Sequence, residues 1–286
     1  MFESINNLSS LYPLSTLCSV LGINKSSYIY WLKTHSKNTN LKISFYHKII
    51  KIYSSSHGLY GAPKITAILN KQNIHCSIST VSRAMSIIGI RSIVSKHFPK
   101  KISTITNEEK SLIINLIKNL NITHLNQVWT TDITYINTLH DGTFYLISFI
   151  DLFSKKVVSW GLFTDQKTDK ILFVLKKTLA IRHPSPGLII HSDKGPQFRS
   201  KLYRKFLSDH NFPFSYTSLD HSCDENASQE SFHASLKKES LYLENIYTFQ
   251  DAYKLIYDYI EGFYNPFRIH SSIGYLSPDD FEKSLK

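Results

Sequence analysis

Two aspartates in apolar, strand-like runs limit what this chain can fold into. Asp132 lies within Val-Trp-Thr-Thr-Asp-Ile-Thr-Tyr-Ile (128–136), and Asp193 ends Gly-Leu-Ile-Ile-His-Ser-Asp (187–193). A third acid, Glu230, opens a helical stretch further along the chain. A carboxylate in an apolar strand is costly unless it is paired, hydrogen-bonded or bound to a cation. Three carboxylates brought together repel one another, and a pair of divalent cations such as Mg²⁺ removes that repulsion. The pattern therefore predicts a metal-dependent site for phosphoryl transfer.

Each aspartate taken alone is also compatible with an ordinary turn or cap residue. The local context favours a site instead. The strand pattern continues past Asp132, and Asp193 precedes a glycine turn, which is where open sheets place their ligands. Glu225 is a rival for the third acid. Glu230 has the better helical phase, because Lys237 follows it by two helical turns on the same face.

Positive charge is concentrated in the N-terminal third of the chain. The formal net charge is +11, and the first 106 residues hold 13 Lys and Arg against one acid, Glu3. Such asymmetry predicts a polyanion-binding module joined to a nearly neutral one. A merely soluble basic face is the alternative, and we favour nucleic acid.

Cysteine usage and hydropathy narrow the class of protein further. Three widely separated cysteines, Cys18, Cys76 and Cys223, argue against a disulfide framework and against a cysteine zinc site. No apolar run approaches the length of a membrane span, and the N-terminus lacks the charge pattern of a signal peptide. We therefore expect a protein of the cytoplasm with no membrane contact.

The N-terminal third reads as short helices. Residues 14–33 predict two helices around a turn at Gly22, with Ser26 or Ser27 as the cap of the second. A polar break at 35–40 and an amphipathic helix at 43–53 follow. A helix–turn–helix is predicted next, with Pro63 in the first turn of one helix and Ser79 capping another that ends at Gly89. Thr80 and Arg83 would share the outward face of this second helix, as in a recognition helix.

The remaining chain predicts a mixed α/β domain. A basic linker at 92–105 and a helix at 107–120 lead to strands at 127–137, 143–152 and 156–163. Further elements are a helix at 168–181, a strand at 188–190, a helix at 200–210, a strand at 213–217 and C-terminal helices. This order resembles a ribonuclease H-like core, with a mixed five-stranded sheet and flanking helices, preceded by a small all-helical helix–turn–helix region. Thr248 and Asp251 predict a capping box on the last helix, whose apolar stripe predicts core packing.

Five strings in order resemble one family. They are Tyr60-Gly-Ala-Pro-Lys-Ile, the run around Asp132, His191-Ser-Asp-Lys-Gly-Pro-Gln-Phe, Asn226-Ala through Leu236-Lys-Lys-Glu, and Tyr264-Asn through His270-Ser-Ser-Ile-Gly-Tyr-Leu-Ser-Pro. Together they resemble the B-frame product of a two-frame bacterial insertion-sequence transposase. Such proteins belong to the superfamily of DDE transposases and retroviral integrases.

The resemblance implies a Mg²⁺-dependent enzyme that nicks element ends and joins the 3′-hydroxyl to another DNA strand. It implies Asp132, Asp193 and Glu230 as catalytic residues and as ligands of two Mg²⁺ ions, with Mn²⁺ as a substitute. Lys237 would contact DNA phosphate near the metals. The other candidate DNA-binding residues are Lys64, Arg83, Arg91 and Lys194. Implied partners are DNA, further copies of the chain, and an A-frame partner or fusion, and the expected location is the cytoplasm in association with the nucleoid.

Two other functions remain open for this sequence. Leu219-Asp220-His221 stands where the family usually carries basic residues and a glycine, so an inactive DNA-binding regulator of transposition is one alternative. A ribonuclease H-like structure-specific nuclease is the other.

The sequence also predicts a division of the chain into domains. The predicted divisions are an N-terminal helical segment (1–40), a helix–turn–helix domain (41–91), a basic linker and helix (92–122), and a catalytic core with a C-terminal helix (123–286).

Overall fold

The computed structural model describes residues 1–95, 115–217 and 226–285. The chain forms two compact units, Met1–Ser95 and Lys96–Lys286. Within the part of the chain that is described, no helix is both long and apolar enough to cross a membrane.

The first unit is helical. Its elements are α1 (Phe2–Leu8), α2 (Leu14–Val20), α3 (Lys25–Ser55), α4 (Ala62–Lys71), α5 (Ile78–Ile88) and a 3₁₀ turn at Ile93–Ser95. Pro63 lies in the first turn of α4, as predicted, and Gly89 ends α5 in the left-handed conformation with φ of 79°. Helices α4 and α5 pack against each other, and Ile65 and Leu69 of α4 and Val81 and Met85 of α5 are buried. This packing leaves the other face of α5 exposed.

Three details of the predicted helices were wrong. The polar run at 35–40 does not break the chain, because α3 is one continuous helix of 31 residues without a proline or glycine. Its cap is Asn24, whose side chain accepts a hydrogen bond from the Ser26 amide, rather than Ser26 or Ser27. Similarly, Ser77 rather than Ser79 caps α5, by accepting from the Thr80 amide. The predicted domain boundary between residues 40 and 41 falls inside α3, and the four-part division stays a prediction.

The second unit is built on a five-stranded sheet in the order β3-β2-β1-β4-β5. The strands are β1 (Val128–Asn137), β2 (Thr143–Asp151), β3 (Val157–Phe163), β4 (Ile189–Ser192) and β5 (Phe214–Tyr216). The first three strands are antiparallel neighbours, whereas β4 and β5 run parallel to β1. The predicted hairpin turn is present at Gly142, where φ is 85° and the carbonyl accepts from the Thr138 amide.

Helices cover both faces of this sheet. They are α6 (Thr168–Arg182), α7 (Lys201–Asp209), α8 (Ala227–Glu239), α9 (Phe249–Tyr259) with a π-helical turn at Ile260–Tyr264, and α10 (Pro278–Ser284). The predicted capping box of α9 is present. Helix α10 was not predicted. Of the helix predicted at 107–120, residues 107–114 lie outside the described residues, and 115–120 form bends and a turn.

Alternation along β2 divides the core between the two faces. Phe144, Leu146 and Ile150 pack with α8 and α9, whereas Ile147 and Phe149 pack with α6 and α7. The predicted core role of the α9 stripe is confirmed, since its members are buried or partly buried in the first of these clusters. The predicted ribonuclease H-like fold is confirmed by the strand order, the strand directions and the helices on both faces of the sheet. The predicted helical region precedes it in the chain.

Candidate active site

Asp132 lies in the middle of β1, the central strand of the sheet, opposite Ser148 of β2. Its side chain is on the face covered by α8 and is 23% exposed. One carboxylate oxygen, Oδ1, accepts a hydrogen bond of 2.7 Å from the Ile133 amide. The strand therefore holds this carboxylate at a fixed place that still opens to solvent.

Asp193 directly follows β4, whose last residue, Ser192, pairs with Thr131 of β1. Because the two strands are parallel, Asp193 is brought beside Asp132 at the carboxyl end of β4. Its Oδ1 accepts a hydrogen bond of 3.0 Å from the Gly195 amide. A Cβ at Gly195 would lie 3.1 Å from that same oxygen, so any other residue there would press against the carboxylate.

Glu230 is exposed in the first turn of α8, and its neighbour Gln229 fixes that helix to the sheet. The fully buried Gln229 amide donates to the carbonyls of Thr130 at 2.7 Å and Ser148 at 3.3 Å. Its Oε1 accepts from the Ser148 hydroxyl at 2.9 Å. Gln229 was not predicted as a residue of the site. Its place among Phe232 and Leu236 on the buried face of α8 is the signal that could have identified it.

Replacing Gln229 with Met is expected to lower the free energy of unfolding by about 2–3 kcal/mol, because buried hydrogen-bonding groups of β1 and β2 lose their partner. Urea denaturation measures the change. Gln250→Met is the matched control, since Gln250 is exposed on α9 and its replacement should change stability by less than about 0.5 kcal/mol. Equal stabilities of the two variants would contradict this anchoring role.

The three acids act on one another electrostatically. Burial, together with the charges of Asp193 and Glu230, raises the pKa of Asp132 to about 7, against the opposing effects of the Ile133 amide and Lys237. Burial also raises the pKa of Asp193, which the Gly195 amide partly offsets. The fold thus brings together the three predicted acids, far apart in sequence, so that their negative charges repel.

A histidine that was not predicted joins this group. His233 Nδ1 lies 3.5 Å from Asp132 Oδ2, and its Nε2 lies 3.4 Å from the Ser148 hydroxyl. Burial and the charge of Lys237 lower the pKa of His233 to about 3. The ring is therefore neutral near pH 7, so it contacts Asp132 as a dipole and does not neutralise its charge.

The candidate DNA-binding residues fall into two groups. Lys237 is half-buried on α8 and close enough to lower the pKa of Asp132, and Lys194 follows Asp193. The other three, Lys64, Arg83 and Arg91, lie in the first unit. The Lys64 ammonium is 4.8 Å from the centre of the Tyr60 ring, and Arg83 and Arg91 are exposed.

Further cations that follow Asp193 in the chain were not predicted as DNA-binding residues. Helix α7 follows Asp193 closely, and the chain from 194 to 208 holds no acid. The exposed cations of this stretch are Arg199, Lys201, Arg204 and Lys205. The presence of basic residues without any acid over these positions was the signal available in the sequence. The altered segment Leu219–His221 and the rival acid Glu225 lie outside the described residues.

The donor chemistry of the three acids fits a hard divalent cation. All three offer carboxylate oxygen, the ligand that Mg²⁺ and Mn²⁺ prefer, and the mutual repulsion around Asp132 is what bound cations relieve. The fold places the three acids near one another, but the Glu230 side chain is exposed to solvent. Among the described residues, no three His, Cys, Asp or Glu side chains are arranged to hold a metal ion. Asp132, Asp193 and Glu230 could hold such ions if the exposed Glu230 side chain turned toward the two aspartates.

Family models match both units of the chain. An integrase core domain matches residues 123–222, and a second integrase core model matches residues 216–278. An HTH-like domain matches residues 43–98. The first of these ranges contains Asp132 and Asp193, and the second contains Glu230 and Lys237.

Named relatives match over most of their length. The transposase for insertion sequence element IS904 of Lactococcus lactis is 34% identical over 82% of this chain and 92% of its own. Transposase InsF for insertion sequence IS3A of Escherichia coli is 29% identical over 95% of this chain and 94% of its own.

Solved structures match about half of the chain at low sequence identity. The HTLV-2 integrase catalytic core domain has a TM-score of 0.40 at 17% identity and covers 53% of this chain and 93% of its own. The catalytic domain of Mos1 mariner transposase has a TM-score of 0.43 at 15% identity, and the match covers 56% of this chain and 81% of its own. The family itself follows from the closer sequence relatives and the two domain models. This chain belongs to the DDE transposases of bacterial insertion sequences.

Proposed function

We propose that this protein nicks the ends of an insertion element and joins the freed 3′-hydroxyl to another DNA strand. Asp132, Asp193 and Glu230 are the catalytic residues of this proposal. The observation that carries it is the charge repulsion among these three acids on a ribonuclease H-like sheet, since Asp193 and Glu230 both raise the pKa of Asp132. Acids gathered in this way destabilise the fold unless cations bind them.

Two Mg²⁺ ions, or Mn²⁺ in their place, would supply the charge that stabilises the attacking and leaving oxygens of an in-line displacement. The chain itself supplies position. The sheet holds Asp132 and Asp193 on adjacent strands, and Gln229 fixes the helix that carries Glu230. Neutral His233 restrains the Asp132 carboxylate without competing for its charge.

DNA recognition is divided between the two units in this proposal. The exposed Thr80 and Arg83 of α5 read the element end, with Lys64 and Arg91 contributing backbone contacts. Lys194 and Lys237 bind phosphates beside the three acids. Because two element ends must be processed together, we propose a homo-oligomer on DNA, with an A-frame partner or fusion, acting on the nucleoid in the cytoplasm.

Incubating the full chain with labelled element-end DNA and Mg²⁺, alone and with the A-frame product, tests the proposal. Asp193→Asn is the control. Nicking and joining by the wild type, and not by this variant, is the expected result. DNA binding without chemistry in every mixture would instead indicate a regulator, and hydrolysis without joining would indicate a nuclease.

Replacing Lys237 with Gln is expected to weaken binding of element-end DNA about tenfold, through loss of a charge-assisted contact to phosphate. Fluorescence anisotropy in metal-free buffer measures the affinity. Lys238→Gln removes the same charge from the next position on α8 and should have a smaller effect. Equal losses in the two variants would show that Lys237 acts only through general charge.

A further inference from the structure

A cavity of about 580 Å³ lies on the α8 side of the sheet. Its walls come from the first turns of α8, the start of β1, the loop after β2, and the segments 115–118 and 264–272. Thr130 and Ser231 are among its lining residues, and they lie close in sequence to Asp132 and Glu230. The cavity therefore adjoins the proposed catalytic site.

The cavity is rich in hydrogen-bond donors. Its lining includes the side chains of Lys118 and Lys155 and the hydroxyls of Ser228, Ser231 and Ser272, and no carboxylate occurs among the described lining residues. The amino end of α8 adds positive partial charge, since Ser228 is in its first turn. This composition selects for an anion.

Lys155 is the strongest indication of a ligand. Its ammonium makes no hydrogen bond or ion pair with the described residues, and only the charge of Asp151 opposes the effect of burial, which lowers the pKa of Lys155. Two further donors lack partners there as well. They are Thr130 Oγ1, on a side chain that is 1% exposed, and Asn115 Nδ2. A phosphate group has acceptor oxygens enough to satisfy all three.

We propose that this cavity binds a non-reacting phosphodiester of the DNA strand whose neighbouring phosphate is at the three acids. The inference rests on the proposed function and names a second contact of the same substrate. Thr130 and Asp132 are two residues apart on one face of β1, or about 7 Å, which is comparable with the spacing of successive phosphates along a strand. The cavity thus fixes the register of the strand.

Binding to the full chain in metal-free buffer tests this inference separately from catalysis. We would measure the affinity of a labelled single-stranded oligonucleotide as a function of salt concentration. Lys155→Gln should weaken binding about tenfold and lower the salt slope by about 0.7, the value for one phosphate contact. Lys254→Gln, an exposed charge on α9 outside the cavity, should bind like the wild type.

A second pair of variants changes an exposed residue, so that a loss of DNA binding cannot be attributed to misfolding. Ser272 is exposed, so Ser272→Glu places a negative charge at the cavity while Ser272→Gln has nearly the same size. The Glu variant should bind at least about threefold more weakly than the Gln variant. Equal affinities within this pair, with Lys155→Gln binding like Lys254→Gln, would overturn the assignment. Thermal stabilisation by inorganic phosphate that Lys155→Gln abolishes, without any change in DNA affinity, would also overturn it by identifying a free phosphate ligand.

Discussion

Replacing Asp132 with Asn is expected to abolish nicking and joining, with a loss of at least about a thousandfold, while leaving DNA binding in metal-free buffer unchanged. Asn has nearly the same shape as Asp but cannot provide the charge that the proposed metal site requires. The measurement is a single-turnover cleavage assay with Mg²⁺, beside an anisotropy titration in chelator. Asp258→Asn, which removes an exposed charge on α9, should retain full activity.

The same variant should be more stable than the wild type when no metal is present. The pKa of Asp132 is raised to about 7 in the folded chain from a usual value of 3.8. Stability is therefore highest while the carboxyl is protonated and falls as the pH rises between these two values, above which the loss is constant. Since one pKa unit corresponds to about 1.4 kcal/mol, the loss at pH 8 is of the order of 4 kcal/mol.

Two measurements check this linkage. Urea denaturation of wild type and Asp132→Asn in chelator should give similar stabilities at pH 4 and a more stable variant at pH 8. Addition of Mg²⁺ at pH 8 should stabilise the wild type and leave the variant almost unchanged. A constant difference between the two proteins from pH 4 to pH 8 would refute the raised pKa of Asp132, which comes from burial and from the charges of Asp193 and Glu230.

Replacing Arg268 with Met is expected to lower the free energy of unfolding by about 3–5 kcal/mol, because it removes the guanidinium that neutralises the buried Glu239 carboxylate. Arg268 donates to both oxygens of Glu239 at 2.8 Å, and the Tyr259 hydroxyl donates to the same carboxylate. The two charged side chains are 13% and 6% exposed, so solvent cannot replace the lost contacts. Urea denaturation measures the loss.

This ion pair also bears on the proposed site. Glu239 is the last residue of α8, the helix that carries Glu230 and Lys237, and Arg268 also donates to Ser235 one turn earlier. The Arg268→Met variant should thus lose cleavage activity even at temperatures where it remains folded. The double variant with Glu239→Met should be more stable than Arg268→Met, because no buried charge is left unpaired. Lys283→Met, at an exposed position, is the neutral control.

Three acids of the sheet region look alike in sequence, and only tertiary structure separates their roles. Asp151 ends β2 much as Asp193 follows β4, yet it is fully buried. It accepts hydrogen bonds from backbone amides of residues 126, 153 and 154, and Arg182 lies 3.6 Å away. Arg182 in turn forms a bidentate pair with Glu282 of α10. Asp151 is thus neutralised within the protein, whereas Asp132 faces two further carboxylates.

The amino-acid sequence by itself determined the strands, the limits of α4, α6 and α7 to within a residue, the α9 capping box and the two aspartates at the centre of the sheet. These features depend on alternation, caps and turns, which act between residues close along the chain. The tertiary structure alone decided that Gln229 and His233 join Glu230 to Asp132, and that Lys155 and Thr130 meet at one cavity. The tertiary structure also showed that the polar run at 35–40 is part of the continuous helix α3. Such contacts join residues up to about a hundred positions apart, and packing of whole elements, which no local pattern encodes, brings them together.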